Sequence, residues 1–433
     1  MRSCDGEKSI RNEIENKDST FGILRTSLET RKIFVYGSLA GLILAVLQFS
    51  EVIARKSLGA SEFQVTLFTM VMPITSLTSI WWGRLFVGRD QRLLLWITGL
   101  IGLVAIASGY FLGTFYHLYI MTVVFFLSIA VQIPARNRAL QEYVPAKATG
   151  KIFGLSQGIS MGLAAVISFG AGVWLDQVDA GWRQLYLGAS IVGFVALFPL
   201  ATVRTGKHGS SSLPYCRNWV SGPMQDVFSL LKRRPDFLRF QGAFMLYGIA
   251  FMMTLPVVPL YLVDDLSLSY LTIGYARGST FQIVLILLIP LFGKWFDKST
   301  PHRIAAIVFS IATLFPLLLI SARHLTGIHR ELMVILAFAV FGVAMGGVTV
   351  LWNIASMRFA GGKEDAGLYQ SVHLTAVGIR GLFAPLIGYF VMQTLGKEIT
   401  MMIASVFWLI AAGAMIAARK IDLKGGNAVS LRA

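Results

Sequence analysis

Charged side chains are scarce in this sequence of 433 residues. Only 14% of the residues are charged, 55% are hydrophobic, and the mean hydropathy is +0.67. A soluble globular domain could not bury that much apolar surface. The composition therefore excludes a soluble protein and predicts a chain that crosses a membrane about a dozen times, since each crossing helix needs roughly 20 apolar residues.

Residues that bind metals or perform catalysis are also scarce. The two cysteines, Cys4 and Cys216, lie in polar segments and indicate neither a disulfide framework nor a metal cluster. The six histidines have no metal-binding spacing, and the sequence contains no nucleophile motif and no Walker-type phosphate loop. We therefore predict that the protein is not an enzyme, holds no cofactor and does not use ATP directly.

Long hydrophobic runs are what the sequence has in abundance. They predict an all-α membrane protein with twelve transmembrane helices, arranged as two six-helix bundles on either side of a polar linker. The predicted segments are a tail at 1–32, a first bundle at 33–203, a linker at 204–237, a second bundle at 238–418 and a tail at 419–433. The predicted spans, numbered one to twelve, are 33–54, 61–83, 92–112, 115–135, 150–175, 183–203, 238–262, 270–292, 303–322, 332–357, 367–392 and 398–418.

The distribution of the 38 Lys and Arg residues predicts the orientation of these spans. Two of them, Arg277 and Arg380, lie inside spans, and most of the others lie on one side of the membrane. Positive residues collect on the cytoplasmic face, so we predict that both termini and the linker are cytoplasmic, at the cytoplasmic (inner) membrane. A basic rim that faces anionic lipid accounts for the net charge of +16, so no nucleic-acid partner is expected. The few loop cations on the other side are Arg55, Lys56, Arg183, Arg323, Arg330 and Lys397.

Several short patterns repeat at a distance of about half the chain. The charged turn GRLFVGRDQR, Gly83–Arg92, follows span two, and GKWFDKSTPHR, Gly293–Arg303, follows span eight. The pair Tyr36-Gly37 recurs as Tyr247-Gly248, and GVWL at Gly172 recurs as GYFV at Gly388. These matches predict that the two six-helix halves are duplicated.

The two charged turns resemble the signature of the major facilitator superfamily of secondary transporters. That signature has a Gly, an Asp four residues later and cations around the Asp. In the first turn Val87 occupies the Asp position, and Asp90 is the candidate that could replace it. The remaining signature positions are Gly83, Arg89 and Arg92 in the first turn and Gly293, Asp297, Lys298 and Arg303 in the second.

The resemblance covers residues 33–418 and implies how the protein works. Two pseudo-symmetric bundles would rock about a site near the bilayer midplane, by rocker-switch alternating access. The two charged turns would then act as gate motifs on the cytoplasmic side. A monomer is the natural expectation for two halves around one site.

Polar side chains deep inside apolar runs are the candidates for substrate binding, because a charge at the bilayer centre costs about 2.5–3.5 kcal/mol. Arg380 lies deep in span eleven, and His373, seven residues earlier, falls on nearly the same helix face. One interpretation is a cationic wall that receives an anionic group of the substrate. The other is that Arg380 forms a structural bond to backbone carbonyls or to a buried acid.

Glu51 and Arg277 lie near the outer ends of spans one and eight. A buried acid such as Glu51 could take up a proton for coupling, or it could form a structural ion pair. A Glu51–Arg277 pair that closes an external gate is a further prediction. Two neutral residues, Gln282 and Asn353, could line a cavity or bond between helices.

We therefore predict a secondary active transporter that moves a small organic solute, with proton coupling left open. Arg380 favours an anionic or amphipathic solute. The expected partners are the solute, membrane lipid and, as an open option, protons. Two alternatives remain: a non-transporting membrane sensor or assembly protein of the same fold, and a lipid flippase, which a cavity poor in charge would favour.

Overall fold

The computed structural model describes residues 27–78, 82, 90–144, 146–205, 221–360 and 366–424. Within these ranges the regular structure is helical, without strands, as the sequence predicts. Several residues named above lie outside the described residues: Cys4, Gly83, Val87, Arg89 and Cys216.

The first half begins its spans at capping residues. Ser61 and Gln64 form a capping box at the start of span two, in which the Ser61 side chain accepts from the Gln64 N–H and the Gln64 side chain accepts from the Ser61 N–H. The Thr114 hydroxyl accepts from the N–H of His117 at the start of span four. Spans one to six are Leu28–Leu47 continued by Ser50–Lys56, Glu62–Leu77, Arg92–Ser108 with a short 3₁₀ turn Gly109–Phe111, Phe115–Tyr143, Ala146–Gln177 and Trp182–Ala201.

The second half contains two π-helical segments, Tyr261–Asp265 at the end of span seven and Gly274–Thr280 early in span eight. Such segments widen a helix locally and are frequent at functional sites. A separate linker helix, Ser221–Arg233, precedes this half. Spans seven to twelve are Pro235–Leu260, Tyr270–Ile273 continued through the π segment into Phe281–Asp297, Pro301–Ala312 with Leu314–Ala322, Gly327–Phe359, Ala366–Leu395 and Lys397–Lys424.

Eleven helices in the described part of the chain are long and apolar enough to cross a membrane, against twelve predicted. The remaining span, predicted at 61–83, is described as Glu62–Leu77, which has 16 residues. The chain that follows this helix lies largely outside the described residues, so only 16 residues of the predicted span count towards the roughly 20 that a crossing helix needs. The chain is a multi-pass membrane protein, and the twelve-helix architecture holds approximately.

Several helices extend past their predicted ends. Span four, for example, continues to Tyr143 instead of residue 135, and span twelve continues to Lys424 instead of residue 418. The linker helix occupies part of the predicted polar linker. Apolar runs mark only the part of a helix that lies in hydrocarbon. The polar extension of span four matters most, because it makes Arg136 a helical residue.

Close helix contacts join the two halves along spans five and eight and along spans two and eleven. A side chain at Gly278 would overlap Ser168 of span five. In the second contact, a side chain at Gly378 would overlap Leu77 of span two. Small residues allow membrane helices to approach in this way, so these glycines set the distance between the halves.

Candidate functional site

A cavity of about 1100 Å³ lies between the two halves. Its walls come mainly from spans one, four and five of the first half and spans eight and ten of the second. The volume lies slightly above the roughly 300–1,000 Å³ that is typical of ligand pockets. Most of the lining is apolar, with side chains such as Ile43, Phe126, Ile133, Ile289 and Val348.

A short chain of hydrogen bonds fixes the polar lining in the first half. The Tyr36 hydroxyl donates to Gln132 Oε1 over 2.9 Å, and Gln132 Nε2 donates to Ser128 Oγ over 2.9 Å. Tyr36 and Gln132 both line the cavity. Arg136 lies one turn after Gln132 on span four, also lines the cavity, and has its guanidinium 5.5 Å from the centroid of the Phe153 ring.

Ion pairs join the halves at the end of the bundle away from Arg136, which we call the closed end. Arg55 of the first half donates from Nε to Asp264 Oδ1 over 2.8 Å. Lys397 Nζ lies 2.9 Å from Asp264 Oδ2 and 2.8 Å from Asp265 Oδ2. Asp264 therefore holds one cation from each half.

Hydrogen bonds to backbone groups strengthen the closed end. Asp176, in span five, accepts from the N–H groups of Tyr270 over 3.0 Å and Leu271 over 2.7 Å, at the start of span eight. A carboxylate is favourable at a helix N-terminus because the first N–H groups lack partners within the helix. Lys56 Nζ donates to the Leu268 carbonyl over 3.0 Å. The two halves are thus tied together by charged groups at this end.

The predicted pair of Glu51 and Arg277 is present. Arg277 Nη2 lies 2.7 Å from Glu51 Oε2, although these atoms are not aligned as a hydrogen bond. The Glu51 side chain is 15% exposed and the Arg277 side chain is 24% exposed, so water screens the pair only in part. Arg277 lies in the π-helical segment of span eight, and its side chain contacts Glu51 of span one.

The structure places Arg380 and His373 inside the second half and outside the cavity lining. Arg380 Nη1 donates to the Phe244 carbonyl over 3.1 Å, and its guanidinium lies beside Gly248. His373 Nδ1 lies 3.2 Å from Gln241 Oε1. The geometry matches the interpretation of a structural bond to a backbone carbonyl.

Only part of the two gate motifs lies within the described residues. Asp90 accepts from Arg92 in the same turn, with Arg92 Nε donating to Oδ2 over 2.8 Å, and this side-chain hydrogen bond holds the pKa of the Asp90 carboxyl below its usual range. Gly293 lines the cavity, whereas Asp297, Lys298 and Arg303 are exposed. Gly83 and Arg89 lie outside the described residues.

The two neutral candidates lie in different places. Asn353 lines the cavity and donates from Nδ2 to the Thr349 carbonyl over 2.7 Å. Gln282 is half-buried at the start of the long helix of span eight and is not part of the cavity lining.

Reasoning from the sequence misses two features of the site. Arg136 follows the apolar run of span four and so resembles a loop cation, yet the helix carries it into the cavity wall. Asp264 and Asp265 lie between two apolar runs and look like ordinary loop acids. The pairing of adjacent acids with the scarce cations Arg55 and Lys397 is the available signal.

The sequence and the fold both match known proteins. The sequence profile described as "Major Facilitator Superfamily" matches residues 33–379 and 242–423. No curated protein sequence matches the chain.

Solved structures of transporters share the fold. A mutant of the nucleoside transporter NupG has a TM-score of 0.64 and 13% identity, covering 90% of this chain and 100% of its own. A D-xylose–proton symporter has a TM-score of 0.61 and 14% identity, covering 90% and 95%. A bacterial homologue of the human lysosomal transporter Spinster, in an inward-facing and unoccupied conformation, has a TM-score of 0.60 and 13% identity, covering 94% and 98%.

Proposed function

Because the chain belongs to the Major Facilitator Superfamily, we propose that it is a secondary transporter that moves a small organic solute across the cytoplasmic membrane by alternating access. The observation that carries this proposal is the contrast between the two ends of the bundle. A cavity between the halves reaches one end, where Arg136 and Gly293 lie, and ion pairs such as Arg55–Asp264 join the halves at the other.

The distribution of cations supports an assignment of the two ends of the bundle to the two sides of the membrane. The closed end carries the few loop cations of one side, and the cavity end lies on the side of the abundant Lys and Arg residues. We therefore assign the closed end to the outside and the cavity end to the cytoplasm. The conformation is then inward-facing, and a transport cycle requires the ion pairs of the closed end to separate.

Glu51 is the residue we assign to proton coupling. Its ion pair with Arg277 joins span one to span eight, so it belongs to the contact that must open. A proton on Glu51 removes the negative charge and weakens this contact. Proton binding would in this way favour the outward-facing conformation. Transport driven by a pH gradient in vesicles, and lost in Glu51→Gln, is the expected result.

Distances between spin labels test the proposed cycle whichever ion drives it. One pair of labels at Asp179 and His329 reports on the closed end, and a second pair at Asn137 and Lys294 reports on the cavity end; all four positions are exposed. A solute that the protein transports should lengthen the first distance and shorten the second. Distance distributions that stay unchanged with every solute of a broad panel would favour the non-transporting sensor.

A lipid flippase is the second candidate, and the apolar lining of the cavity favours it. Exposed side chains such as Met72, Phe153 and Trp352 would suit an acyl chain better than a sugar. Transfer of a fluorescent lysolipid between the leaflets of proteoliposomes distinguishes the two candidates. Transfer at the rate of protein-free vesicles removes the flippase.

A further inference from the structure

The described lining of the cavity carries positive charge but no negative charge. Arg136 is the one permanently charged side chain among the described residues that line the cavity, and this lining contains no carboxylate. A cationic solute would meet no opposite charge there, whereas an anionic solute would meet one. The electrostatics of the cavity therefore select for negative charge.

Arg136 is held in position but its charge is not neutralised. Its guanidinium lies over the Phe153 ring at 5.5 Å, and its buried Nε has no hydrogen-bond partner. No carboxylate of the described residues forms an ion pair with it. A buried polar atom without a partner is costly, so a ligand that accepts a hydrogen bond from it is favoured.

The polar groups near Arg136 differ in how many hydrogen bonds they can still form with a ligand. Tyr36 and Gln132 already bond to each other, which leaves them little capacity for a ligand. Gln157 lies one turn after Phe153 on span five and lines the same cavity. In the part of the chain that the structure describes, Gln157 forms no side-chain hydrogen bond, so its amide can assist Arg136.

The rest of the wall fits an apolar body. Side chains from both halves, such as Ile43, Ile133, Ile286 and Met345, face the cavity around this polar group. A site with one cation and an extended apolar wall matches a molecule with one anionic group and an apolar remainder.

We propose that the solute is an amphipathic organic anion whose carboxylate, sulfonate or phosphate binds Arg136, assisted by Gln157, while its apolar part lies against the cavity wall. This inference rests on the proposed transport function and names the substrate class of the same cavity. It differs from the expectation based on Arg380, because Arg380 lies outside the lining and bonds to the Phe244 carbonyl.

The test uses two probes of the same shape and opposite charge. Radiolabelled naphthalene-2-sulfonate is bound to the full chain in phosphatidylcholine nanodiscs, and naphthyl-2-trimethylammonium is added as a competitor. We expect the sulfonate to bind and the ammonium not to displace it. Equal binding of both probes would overturn the proposal.

Three variants assign the binding to Arg136. Arg136→Gln should weaken sulfonate binding about ten-fold or more, because a charge-assisted hydrogen bond is lost. Arg136→Lys should recover part of the affinity, since it keeps the charge without the fork of donors. Arg138→Gln is the matched control, because it removes the same charge two residues away, outside the lining, and should leave affinity unchanged. Unchanged affinity in Arg136→Gln, with unaltered thermal unfolding of the variant, would contradict the proposal.

Two further arms identify the source of the anion and separate this inference from the transport proposal. Displacement of the sulfonate by lysophosphatidylglycerol in the parent protein would identify a lipid as the source; no displacement would identify a free amphiphile. Sulfonate binding in a protein whose two spin-label distances stay unchanged with the sulfonate and with every solute of the panel would overturn transport and retain the anion site. A change in those distances that only the ammonium probe produces would overturn the anion site and retain transport.

Discussion

The two halves carry the same Tyr-Gly pair and use it differently. In the first half, Tyr36 lines the cavity and donates to Gln132. In the second half, Tyr247 is buried, donates to Met345 Sδ over 3.2 Å and stacks on Phe309 with 4.3 Å between the ring centroids. The tyrosine of the first half thus lines the cavity, whereas the tyrosine of the second half is buried in that half's own core.

The glycines of the two Tyr-Gly pairs also have different neighbours. Gly37 allows span five to approach, with Ser156 as its neighbour, and Gly248 allows span eleven to approach, with Arg380 as its neighbour. The same pairing of helices therefore places a small hydroxyl in one half and a guanidinium in the other. A duplicated sequence gives duplicated helix contacts, but the chemistry of the two halves is set by single residues.

The largest expected effect comes from adding a methyl group at these glycines. A Cβ at position 248 would overlap the buried Arg380 guanidinium, so Gly248→Ala should destabilise the second half by about 1–3 kcal/mol. At position 37 the Cβ would lie 3.0 Å from Ser156 Oγ, which a small rotation can relieve. Gly37→Ala should therefore stay within about 1 kcal/mol of the parent. Thermal unfolding in detergent measures both, and equal losses would contradict the difference between the halves.

The next effect concerns the ion pair that crosses between the halves. Glu51→Arg and Arg277→Glu each place like charges where the pair now lies, so each should reduce transport about ten-fold or more. The double variant restores an opposite pair and should recover transport. Flux in proteoliposomes is the measurement. A double variant that is as inactive as the two single variants would show that this contact does not act through its charge pairing.

Variants of Arg380 and Arg136 should distinguish a cation with a structural role from the cation that we propose binds the solute. Arg380→Met replaces a buried charge with an apolar side chain of similar length and should leave the free energy of unfolding within about 1 kcal/mol of the parent or raise it. Binding of naphthalene-2-sulfonate should also stay unchanged in this variant. A loss of binding equal to that of Arg136→Gln would return the anion site to span eleven.

The smallest effect is expected at two adjacent acids of the closed end. Asp264 pairs with Arg55 across the halves, whereas Asp265 pairs with Lys397 and Arg323 inside the second half. Asp264→Asn should therefore increase the population that is open at this end about two- to five-fold, the range for a partly exposed pair worth up to about 1 kcal/mol. Asp265→Asn serves as the control with the same charge change. Equal shifts of the Asp179–His329 distance in both variants would contradict this assignment.

Apolar patterning is sufficient to predict the helices, but not how far each one continues. The sequence predicts that span four ends at residue 135, because Arg136, Asn137 and Arg138 are polar. The helix continues to Tyr143, since backbone hydrogen bonds do not require an apolar side chain outside the hydrocarbon. The sequence alone therefore does not indicate Arg136 as a cavity residue.

The depth of a residue in the membrane can be predicted from the sequence, whereas the direction in which its side chain points cannot. Glu51 and Arg277 lie near the same ends of spans one and eight, which is enough to predict their pairing, and the contact is present. Arg380 and His373 lie on one helix as predicted, yet the rotation of span eleven turns them into the second half. A single apolar span shows little difference between its lipid-facing and core-facing sides, so the sequence does not fix that rotation.

Flux through a protein whose closed end is reversibly locked tests the central claim most directly. Arg55→Cys and Asp264→Cys are combined in a background with Cys4→Ser and Cys216→Ser and joined by a cleavable thiol crosslinker, with Arg55→Cys alone as the control. The labelled solute is one that stabilises the purified parent, by about 2.7 kcal/mol at 100 times its dissociation constant. Alternating access predicts that crosslinking stops flux and that cleavage restores it. Flux that persists while the closed end is crosslinked would contradict the account.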